Sequence, residues 1–303
     1  MHNRLAERDC LVDQPRRVAV VTGGASGIGR SVASILARGG DDVYVVDSNV
    51  SLGQDYVAEL RAAEASAEFV ALDVTDRAQV SSVIADVFSA HQRLDVLVTC
   101  AGITRPGPLE TLDEADWNSV LDVNLGGTFH ILQAAARHII AAGGRSSFVT
   151  VSSIAASRGE VGRGAYCVSK AGVEALTRLA AAEWAGRGIQ VNCVAPGYIN
   201  TPLLQAAFQS NRISEANLLS RLPLGRFGTA DEIAEVIAFL VSPNFPYITG
   251  HVLNVQGGFL IAHGVVLLEG TTAADALLLE FDIAPRMDLG KLVNGSAPLT
   301  CPR

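Results

Sequence analysis

The sequence predicts an α/β protein with a doubly wound parallel sheet that carries helices on both faces. Short apolar runs alternate with longer helical patterns along most of the 303-residue chain, and such alternation forms parallel strands joined by right-handed crossovers. Glycine-rich and polar residues follow the strand ends, which places them along one rim of the sheet, where ligands bind in such folds. The predicted strands lie near residues 18–22, 43–46, 69–72, 95–99, 147–151, 189–194 and 252–255.

The first strand runs directly into a glycine-rich turn. The apolar segment 17–21 is followed by Thr22-Gly23-Gly24-Ala25-Ser26-Gly27-Ile28-Gly29 and then by a helical pattern over 30–38. A strand, a glycine turn and a helix in this order form an arrangement that binds a pyrophosphate, because glycines let the backbone approach and the charge lies at the helix N-terminus. The alternative, a glycine turn beside a helix-capping aspartate, is disfavoured by this context.

The second strand ends at Asp47, twenty residues beyond Gly27. A carboxylate at this place accepts hydrogen bonds from an adenosine ribose, and it would repel the 2′-phosphate of NADP, which needs a nearby cation. Ser48 and Asn49, which follow the aspartate, supply no such cation. The sequence therefore predicts NAD as the cofactor.

Tyr166 and Lys170 form the candidate catalytic pair. They stand four residues apart in a helix predicted from Ala165 to Trp184, so both lie on one face, one turn apart. A free phenol has a pKa of about 10, and an adjacent cation in a partly desolvated cleft lowers it toward the range useful for acid–base catalysis. Ser153, after the fifth strand, would hold and polarise a carbonyl or carbinol oxygen. Taken alone, a Tyr-x-x-x-Lys pair is more often ordinary helix surface.

Several motifs in one register resemble the short-chain dehydrogenase/reductase family over roughly residues 15 to 260. They are Thr22 to Gly29, Asp73-Val74, Ala101-Gly102, Asn124, Ser153, Tyr166, Lys170, Asn192 and Pro196-Gly197. The resemblance implies a Rossmann-type domain of the simple NAD-dependent type. It also implies that Tyr166 is the general acid/base, that Lys170 lowers the phenol pKa and holds the nicotinamide ribose, that Ser153 orients the substrate oxygen, and that Asn124 supports a water relay.

The resemblance also implies a full set of cofactor-binding residues. They are Gly23, Ser26, Gly27, Ile28, Gly29, Asp47, Asp73, Val74, Ala101, Gly102, Tyr166, Lys170, Pro196, Gly197, Ile199 and Thr201. In this set Asp73-Val74 matches the adenine-edge contact, while Ile199 and Thr201 match the carboxamide and phosphate contacts. Ser26 stands where NADPH-dependent relatives often carry arginine or lysine, which again favours NAD.

The chain departs from the family pattern at two places. After the fourth strand, Thr99 and Cys100 replace the asparagines of the usual Asn-Asn-Ala-Gly or Asn-Ala-Gly segment, so a side-chain bond that braces the adjacent strands is in question. The chain also continues for more than forty residues beyond Gly257-Gly258, where simple family members end.

The favoured function is hydride exchange between NAD(H) and a secondary alcohol or its ketone. One alternative is reduction of a 3-oxoacyl thioester, and Asp47 counts against the NADPH preference usual for that activity in relatives. The other alternative is a catalytically weak NAD-binding regulator, against which the intact set of Asn124, Ser153, Tyr166 and Lys170 counts.

The substrate pocket is predicted from the loops around the catalytic pair. Its walls are Thr104 and Arg105, Ile154 and Ala155, Glu160 to Arg163, Tyr198, and a lid from Leu203 to Phe227. A lid of this kind excludes water during hydride transfer. Arg212 is interpreted as a solvated surface arginine rather than a ligand for an acidic substrate, and Arg105 and Arg163 as solvated or paired with Glu160.

The composition indicates which kinds of partner the protein binds and which cellular compartment it occupies. A net charge of −8 and a pI near 5.2 disfavour nucleic acid and anionic membrane as partners. The five cysteines are scattered and the six histidines are unclustered, so no metal site is predicted and a reducing cytoplasm is favoured. Neither a secretory signal nor an apolar stretch of about 18 residues, which a spanning helix needs, is evident.

One dehydrogenase domain is predicted over residues 17–260, preceded by an arm at 1–16 and followed by an extension at 261–303. The extension is expected to dock through about residue 283 and to be disordered afterwards. Relatives commonly form homotetramers through the two long helices that match roughly Glu114 to Ala142 and Ala165 to Trp184. Both segments are rich in alanine and have broad apolar stripes, so a homotetramer is predicted here.

Overall fold

A computed structural model describes residues 16–209 and 214–260 of the chain. Most of the predicted N-terminal arm, the predicted surface position of Arg212, and the predicted docking and disorder of the extension lie outside the described residues. The chain divides into two units, Met1–Gly257 and Gly258–Arg303, and of the second only residues 258–260 are described. The boundary predicted at residue 260 stays a prediction.

Nine strands occur among the described residues. They are β1 Val18–Thr22, β2 Asp42–Asp47, β3 Ala67–Ala71, β4 Val96–Thr99, β5 Ser146–Val151, β6 Ile189–Pro196, β7 Ile199–Asn200, β8 Gly228–Thr229 and β9 Val252–Val255. Seven form one parallel sheet in the order β3-β2-β1-β4-β5-β6-β9, while β7 and β8 pair separately. The predicted doubly wound parallel sheet is confirmed. Because the strand order reverses between β1 and β4, a ligand-binding crevice is expected at their carboxyl ends.

Helices connect the successive strands. They are α1 Gly27–Arg38, α2 Val50–Ala62, α3 Arg77–His91, α4 Glu114–Leu121, α5 Thr128–Ala142, α6 Gly164–Trp184, α7 Pro202–Gln209, α8 Glu215–Ser220 and α9 Ala230–Leu240. A π-helical turn, Asp122–Gly127, joins α4 to α5, so the helical segment predicted from Glu114 to Ala142 is continuous but locally widened. Such turns are frequent at functional sites, and this one contains Asn124.

Side chains at the helix starts fix where several helices begin. Asp76 accepts hydrogen bonds from the amides of Ala78 and Gln79 at the start of α3. Thr229 and Glu232 form a reciprocal capping box at the start of α9. These bonds satisfy backbone donors that have no partner within the helix.

Alternate residues of the central strands pack on opposite faces of the sheet. Ala19 and Val21 contact an apolar cluster built with α1, α2 and α9, whereas Val18 and Val20 belong to a cluster built with α3, α5 and α6. The period-two geometry of a strand produces this division. Helices therefore cover both faces of the sheet, as predicted, and the functional residues are left at its carboxyl edge.

Thr99 and Thr150 are direct neighbours in the sheet but differ in hydrogen bonding. They are paired in register between β4 and β5 and are 3% and 0% exposed. Thr150 Oγ1 lies 2.7 Å from Thr177 Oγ1, whereas Thr99 Oγ1 has no hydrogen-bond partner among the described residues. The bracing bond that the sequence put in question is thus not made by the threonine that replaces asparagine.

This difference predicts opposite responses to loss of the hydroxyl. Thr99→Val is expected to leave the free energy of unfolding within about 0.5 kcal/mol of wild type, or to raise it, because no hydrogen bond is lost. Thr150→Val is expected to lower it by about 1 kcal/mol. Denaturant unfolding of both variants measures the difference, and equal losses would show that the Thr99 hydroxyl has a partner.

Candidate active site

Tyr166 and Lys170 lie in the first two turns of α6, on one face of the helix. The Lys170 ammonium is 5.7 Å from the centre of the Tyr166 ring, and it donates a 2.9 Å hydrogen bond to the carbonyl of Val151 at the end of β5. Lys170 is only 5% exposed, and no carboxylate forms an ion pair with it among the described residues. Burying a cation without a counter-charge costs free energy. Because no carboxylate neutralises Lys170, its positive charge can act on the Tyr166 phenol and on a bound ligand.

Ser153 follows β5 and caps a short 3₁₀ turn, Ile154–Ala156. Its hydroxyl oxygen accepts a 3.2 Å hydrogen bond from the Ala155 amide. This bond fixes the oxygen and leaves the hydroxyl proton available to a ligand. The serine is therefore oriented as a hydrogen-bond donor at the sheet edge.

Asn124 is fully buried in the π-helical turn. Its Oδ1 accepts from the Ile103 amide at 2.8 Å, and its Nδ2 donates to the Ile103 carbonyl and to Ser169 Oγ, both at 3.0 Å. The side chain thus ties the segment after β4 to α6. In this arrangement it braces the site, and the predicted water relay remains a proposal.

Gly23 and Gly29 shape a cradle at the N-terminus of α1. Gly23 has φ +62°, and an added Cβ would lie 2.7 Å from the Ala101 amide nitrogen. A Cβ on Gly29 would lie 2.1 Å from the Gly23 carbonyl oxygen. Only glycine fits at either position. The turn packs tightly enough to present backbone amides to an anion, so these residues fit the pyrophosphate of a dinucleotide.

Asp47 connects the glycine turn, residues 22–29, to the start of α2. One carboxylate oxygen accepts from the Ala25 amide at 3.1 Å, and the other accepts from the Asn49 amide at 2.9 Å. Each oxygen can accept a further bond. No lysine or arginine forms an ion pair with Asp47 among the described residues. The site therefore suits an uncharged diol.

Asp73 and Val74 follow β3 with different environments. Asp73 is exposed and accepts from the amide and the hydroxyl of Thr75. Val74 is buried against the π-helical turn, where a Cβ on Gly127 would approach Val74 Cγ2 to 2.5 Å. This packing aligns the predicted adenine edge with the segment that carries Asn124.

A cavity of about 790 Å³ opens beside the catalytic pair. The predicted site residues that line it are Ile28, Gly102, Ser153, Tyr166, Lys170, Pro196, Gly197, Ile199 and Thr201. The other predicted residues, Gly23, Ser26, Gly27, Gly29, Asp47, Asp73, Val74, Ala101 and Asn124, do not line it. The cavity therefore joins the candidate catalytic residues Ser153, Tyr166 and Lys170 to one end of the predicted cofactor site.

The cavity includes most of the predicted substrate walls, but not Ala155 and, within the predicted lid, not Gln205, Phe208, Gln209 or residues 214–227. Lining residues include Thr104, Arg105, Ile154, Glu160 to Arg163, Tyr198, Leu203, Leu204, Ala206 and Ala207. Ala155 was wrongly predicted as a wall residue; it is buried beneath Ser153. Helix α7 supplies the first part of the predicted lid, and residues 210–213 lie outside the described part.

Arg163 contacts Tyr166, the candidate catalytic tyrosine, and the sequence reasoning missed this contact. Its guanidinium stacks 4.2 Å above the centre of the Tyr166 ring and pairs with Glu160 at 2.6 Å. Tyr198 donates to the other Glu160 oxygen at 3.4 Å. The alternative pairing of Arg105 with Glu160 is wrong, since Arg105 lies 3.5 Å from Asp116. The three-residue spacing before Tyr166 was the available sequence signal.

Burial raises the pKa of two other groups in the cavity wall, Cys100 and Tyr198. It raises the pKa of the Cys100 thiol to about 12, against the opposing effect of Lys170. It also raises the pKa of the Tyr198 phenol, and the Glu160 carboxylate acts in the same direction. Both groups are therefore neutral at physiological pH, and neither competes with Tyr166 as a base. Within residues 16–209 and 214–260, no acidic, histidine or cysteine cluster suits a metal ion.

Comparison with known proteins finds a matching family model and similar enzymes. A family model described as enoyl-(acyl carrier protein) reductase matches residues 23–260. The 3-oxoacyl-[acyl-carrier-protein] reductase FabG of Thermotoga maritima is 40% identical over 81% of this chain and 98% of its own. The cis-4-hydroxycyclohexanecarboxylate dehydrogenase of Sinomonas cyclohexanicum is 43% identical over 80% of this chain and 96% of its own.

A solved structure shows the same fold. It is a putative 2-deoxy-D-gluconate 3-dehydrogenase from Agrobacterium tumefaciens with bound NADP, which is 33% identical. The match has a TM-score of 0.75 and covers 81% of this chain and 96% of the other. The relatives are oxidoreductases that act on hydroxyl or keto groups. By its fold, its motifs and these matches, the chain belongs to the short-chain dehydrogenase/reductase family, whose members bind a nicotinamide cofactor.

Proposed function

We propose that the chain exchanges a hydride between NAD(H) and a secondary alcohol or its ketone, with Tyr166 as general acid/base. The observation that carries the proposal is the cavity in which Ser153, Tyr166 and Lys170 meet the predicted cofactor edge at Gly102 and Pro196. No protein group forms a hydrogen bond with the Tyr166 phenol among the described residues, so the phenol is available to a substrate oxygen.

Tyr166 transfers the proton in the proposed reaction, while Ser153 and Lys170 assist it. A bound nicotinamide would supply the hydride chemistry, taking the hydride of the carbinol carbon in oxidation and giving it to the carbonyl carbon in reduction. Tyr166, as phenolate, takes the hydroxyl proton during oxidation and returns it during reduction. Ser153 donates a hydrogen bond to the same oxygen, and the buried Lys170 ammonium lies 5.7 Å from the centre of the Tyr166 ring. The remaining Lys170 donors are available to a nicotinamide ribose.

The proposed cofactor is NAD, because Asp47 presents a carboxylate at the end of β2. The double variant Asp47→Ala, Ser48→Arg is expected to shift the NADP/NAD ratio of kcat/KM by about 100-fold toward NADP, since it removes repulsion and supplies a phosphate partner. Steady-state kinetics with both cofactors measure this ratio. Ser48→Arg alone is the matched control, with a smaller expected shift because Asp47 remains. A wild-type preference for NADP would refute the role given to Asp47.

A second candidate is reduction of a 3-oxoacyl thioester. It is favoured by the Thermotoga maritima relative and by the apolar wall of Leu203, Leu204, Ala206 and Ala207, which suits an acyl chain. The Asp47 carboxylate counts against this second candidate, because relatives with that activity usually use NADPH, whose 2′-phosphate Asp47 would repel. The two candidates share the catalytic residues and differ in what the cavity holds.

A substrate screen separates these functions. Secondary alcohols, including cyclic hydroxy acids and sugar alcohols, are assayed with NAD and NADP, and a 3-oxoacyl thioester with NADH and NADPH. Absorbance of the reduced nicotinamide is the readout. Turnover of an alcohol with NAD is the expected result, whereas preferred reduction of the thioester with NADPH supports the second candidate. Cofactor binding without turnover on any substrate would favour a regulator.

We also propose a homotetramer in a reducing cytoplasm. Leu179, Val168 and Phe129 are exposed on α6 and α5, and a symmetric partner would bury such apolar side chains. Cys100, Cys167 and Cys193 are unpaired thiols, which suits that compartment. Among the described residues, no helix is both long enough and apolar enough to cross a membrane.

Assembly is tested by light scattering on the full chain and on a chain truncated after residue 260. A tetramer is expected for the full chain. If the extension lies near a subunit boundary, truncation is expected to weaken assembly. A monomeric full chain contradicts the assembly proposal, while an active, tetrameric truncated chain removes only the role proposed for the extension.

A further inference from the structure

The loop before α6 holds an arginine against the catalytic ring. Gly107 donates a backbone hydrogen bond to the Gly162 carbonyl at 2.9 Å, and the Arg163 amide donates to the Glu160 carbonyl at 3.0 Å. Arg163 is the residue immediately before α6, and its side chain makes no capping bond to the helix. Its side chain is therefore free of a structural task in the helix and is directed to Glu160 and Tyr166.

Two cations thus flank Tyr166, and only one of them has a counter-charge. Lys170 lies 5.7 Å from the ring centre without an ion pair among the described residues, while Arg163 lies 4.2 Å from it and pairs with Glu160. Glu160 is 8% exposed and Arg163 is 21% exposed. Partial burial strengthens both the ion pair and the attraction of the guanidinium to the ring.

We propose that Arg163 is a positioning residue for Tyr166: held by Glu160, its guanidinium stacks on the ring, fixes the direction of the phenol and stabilises its phenolate form. Burial lowers the pKa of the Arg163 guanidinium, but the effects of Tyr166, Glu160 and Tyr198 together raise it above its ordinary value. The inference rests on the proposed role of Tyr166 in proton transfer. The stacked contact itself does not depend on that role.

The other titratable groups near this cluster are few. Tyr198 contacts Glu160 from the segment after β6 and interacts with the charges of Arg158 and Arg221. Cys100, after β4, interacts with Lys170, and its thiol stays neutral because burial raises its pKa to about 12. These groups leave Glu160, Arg163 and Lys170 as the charges that bear most directly on the ring.

Two substitutions separate a charge effect from a structural one. Arg163→Met and Glu160→Gln both remove the ion pair but change the net charge beside Tyr166 in opposite directions. In Glu160→Gln the amide oxygen can still accept a hydrogen bond from Arg163 and keep it over the ring. The full-length protein is titrated by ultraviolet absorbance of phenolate, and the spectrum of the matching Tyr166→Phe variant is subtracted to isolate one of the five tyrosines. The measurement requires neither cofactor nor turnover.

Arg163→Met is expected to move the midpoint of the Tyr166 titration by about 1 pH unit to the alkaline side. Glu160→Gln is expected to move it to the acidic side, and Arg163→Lys to recover part of the wild-type value. Arg105→Met is the matched control, because Arg105 lines the same cavity but pairs with Asp116; it is expected to leave the midpoint unchanged.

Alkaline shifts in both Arg163→Met and Glu160→Gln would show that the pair acts only through structure and would overturn the proposal. So would an equal shift in Arg105→Met, or no shift in Arg163→Met. Failure of the proposed function appears differently, as a wild-type chain that turns over no alcohol or ketone while the Tyr166 titration still responds to Arg163.

Discussion

Replacement of Tyr166 by phenylalanine is expected to lower kcat by about 1,000-fold, because it removes the proton donor and acceptor of the reaction. The ring remains, so its contacts with Arg163 and Lys170 are retained. Binding of NADH, measured by the change in its fluorescence, is expected to stay within about threefold of wild type. A large loss of turnover with intact cofactor binding is the signature of lost chemistry rather than lost structure.

Tyr198→Phe is the matched control, since Tyr198 lines the same cavity and its hydroxyl donates to Glu160. It is expected to change kcat by less than about tenfold, because the 3.4 Å bond that it loses is long for a hydrogen bond. Ordinary activity in Tyr166→Phe would rule out the proposed mechanism. Equal losses in the two variants would show that the cavity tolerates no change in either phenol.

The fold was predictable because its signals are local and repeated. Buried apolar runs mark each strand, and the glycine turn requires positions such as Gly23, where any side chain would meet the Ala101 backbone. Helical spacing predicted that Tyr166 and Lys170 lie on one face of a helix, whereas their proposed roles came from the family resemblance. In each of these cases the partner residues lie within a few positions of one another or at fixed strand ends.

Other features depended on contacts that spacing does not encode. Asn124 forms two hydrogen bonds with the Ile103 backbone from a π-helical turn that widens an otherwise regular helix. The missing partner of Thr99 follows from the geometry of its strand neighbours. Arg163 was predicted as a pocket wall and as solvated or paired with Glu160, but not as a contact of Tyr166, because a contact with the face of a ring is set by side-chain direction rather than by sequence position.

Composition gives Lys170 a significance that its motif alone does not. Only two of the 23 lysine and arginine residues in the chain are lysines, and Lys170 is the only one among the described residues. Every other lysine or arginine position among the described residues is arginine. We infer that the buried position requires a compact ammonium, which donates three hydrogen bonds from one point.

Lys170→Met is therefore expected to lower kcat by about 100-fold and to weaken NADH binding by about tenfold, because it removes a cation beside Tyr166 and a donor to the ribose. The pH–rate profile is expected to move to the alkaline side. Lys170→Arg is the matched control that keeps the charge. It is expected to preserve the position of the profile better than methionine does, although its larger head group fits the Val151 carbonyl poorly.

The same substitution makes a second, independent prediction about stability. Lys170 is 5% exposed, and among the described residues its ammonium donates one hydrogen bond, to the Val151 carbonyl at 2.9 Å. Since a buried ammonium without a counter-charge costs desolvation energy that methionine does not, Lys170→Met is expected to keep or raise the free energy of unfolding. Denaturant unfolding without cofactor measures this quantity. Lower activity in an equally or more stable protein would mark Lys170 as a residue retained for catalysis, whereas a loss of several kcal/mol would show that its bond to Val151 is mainly structural.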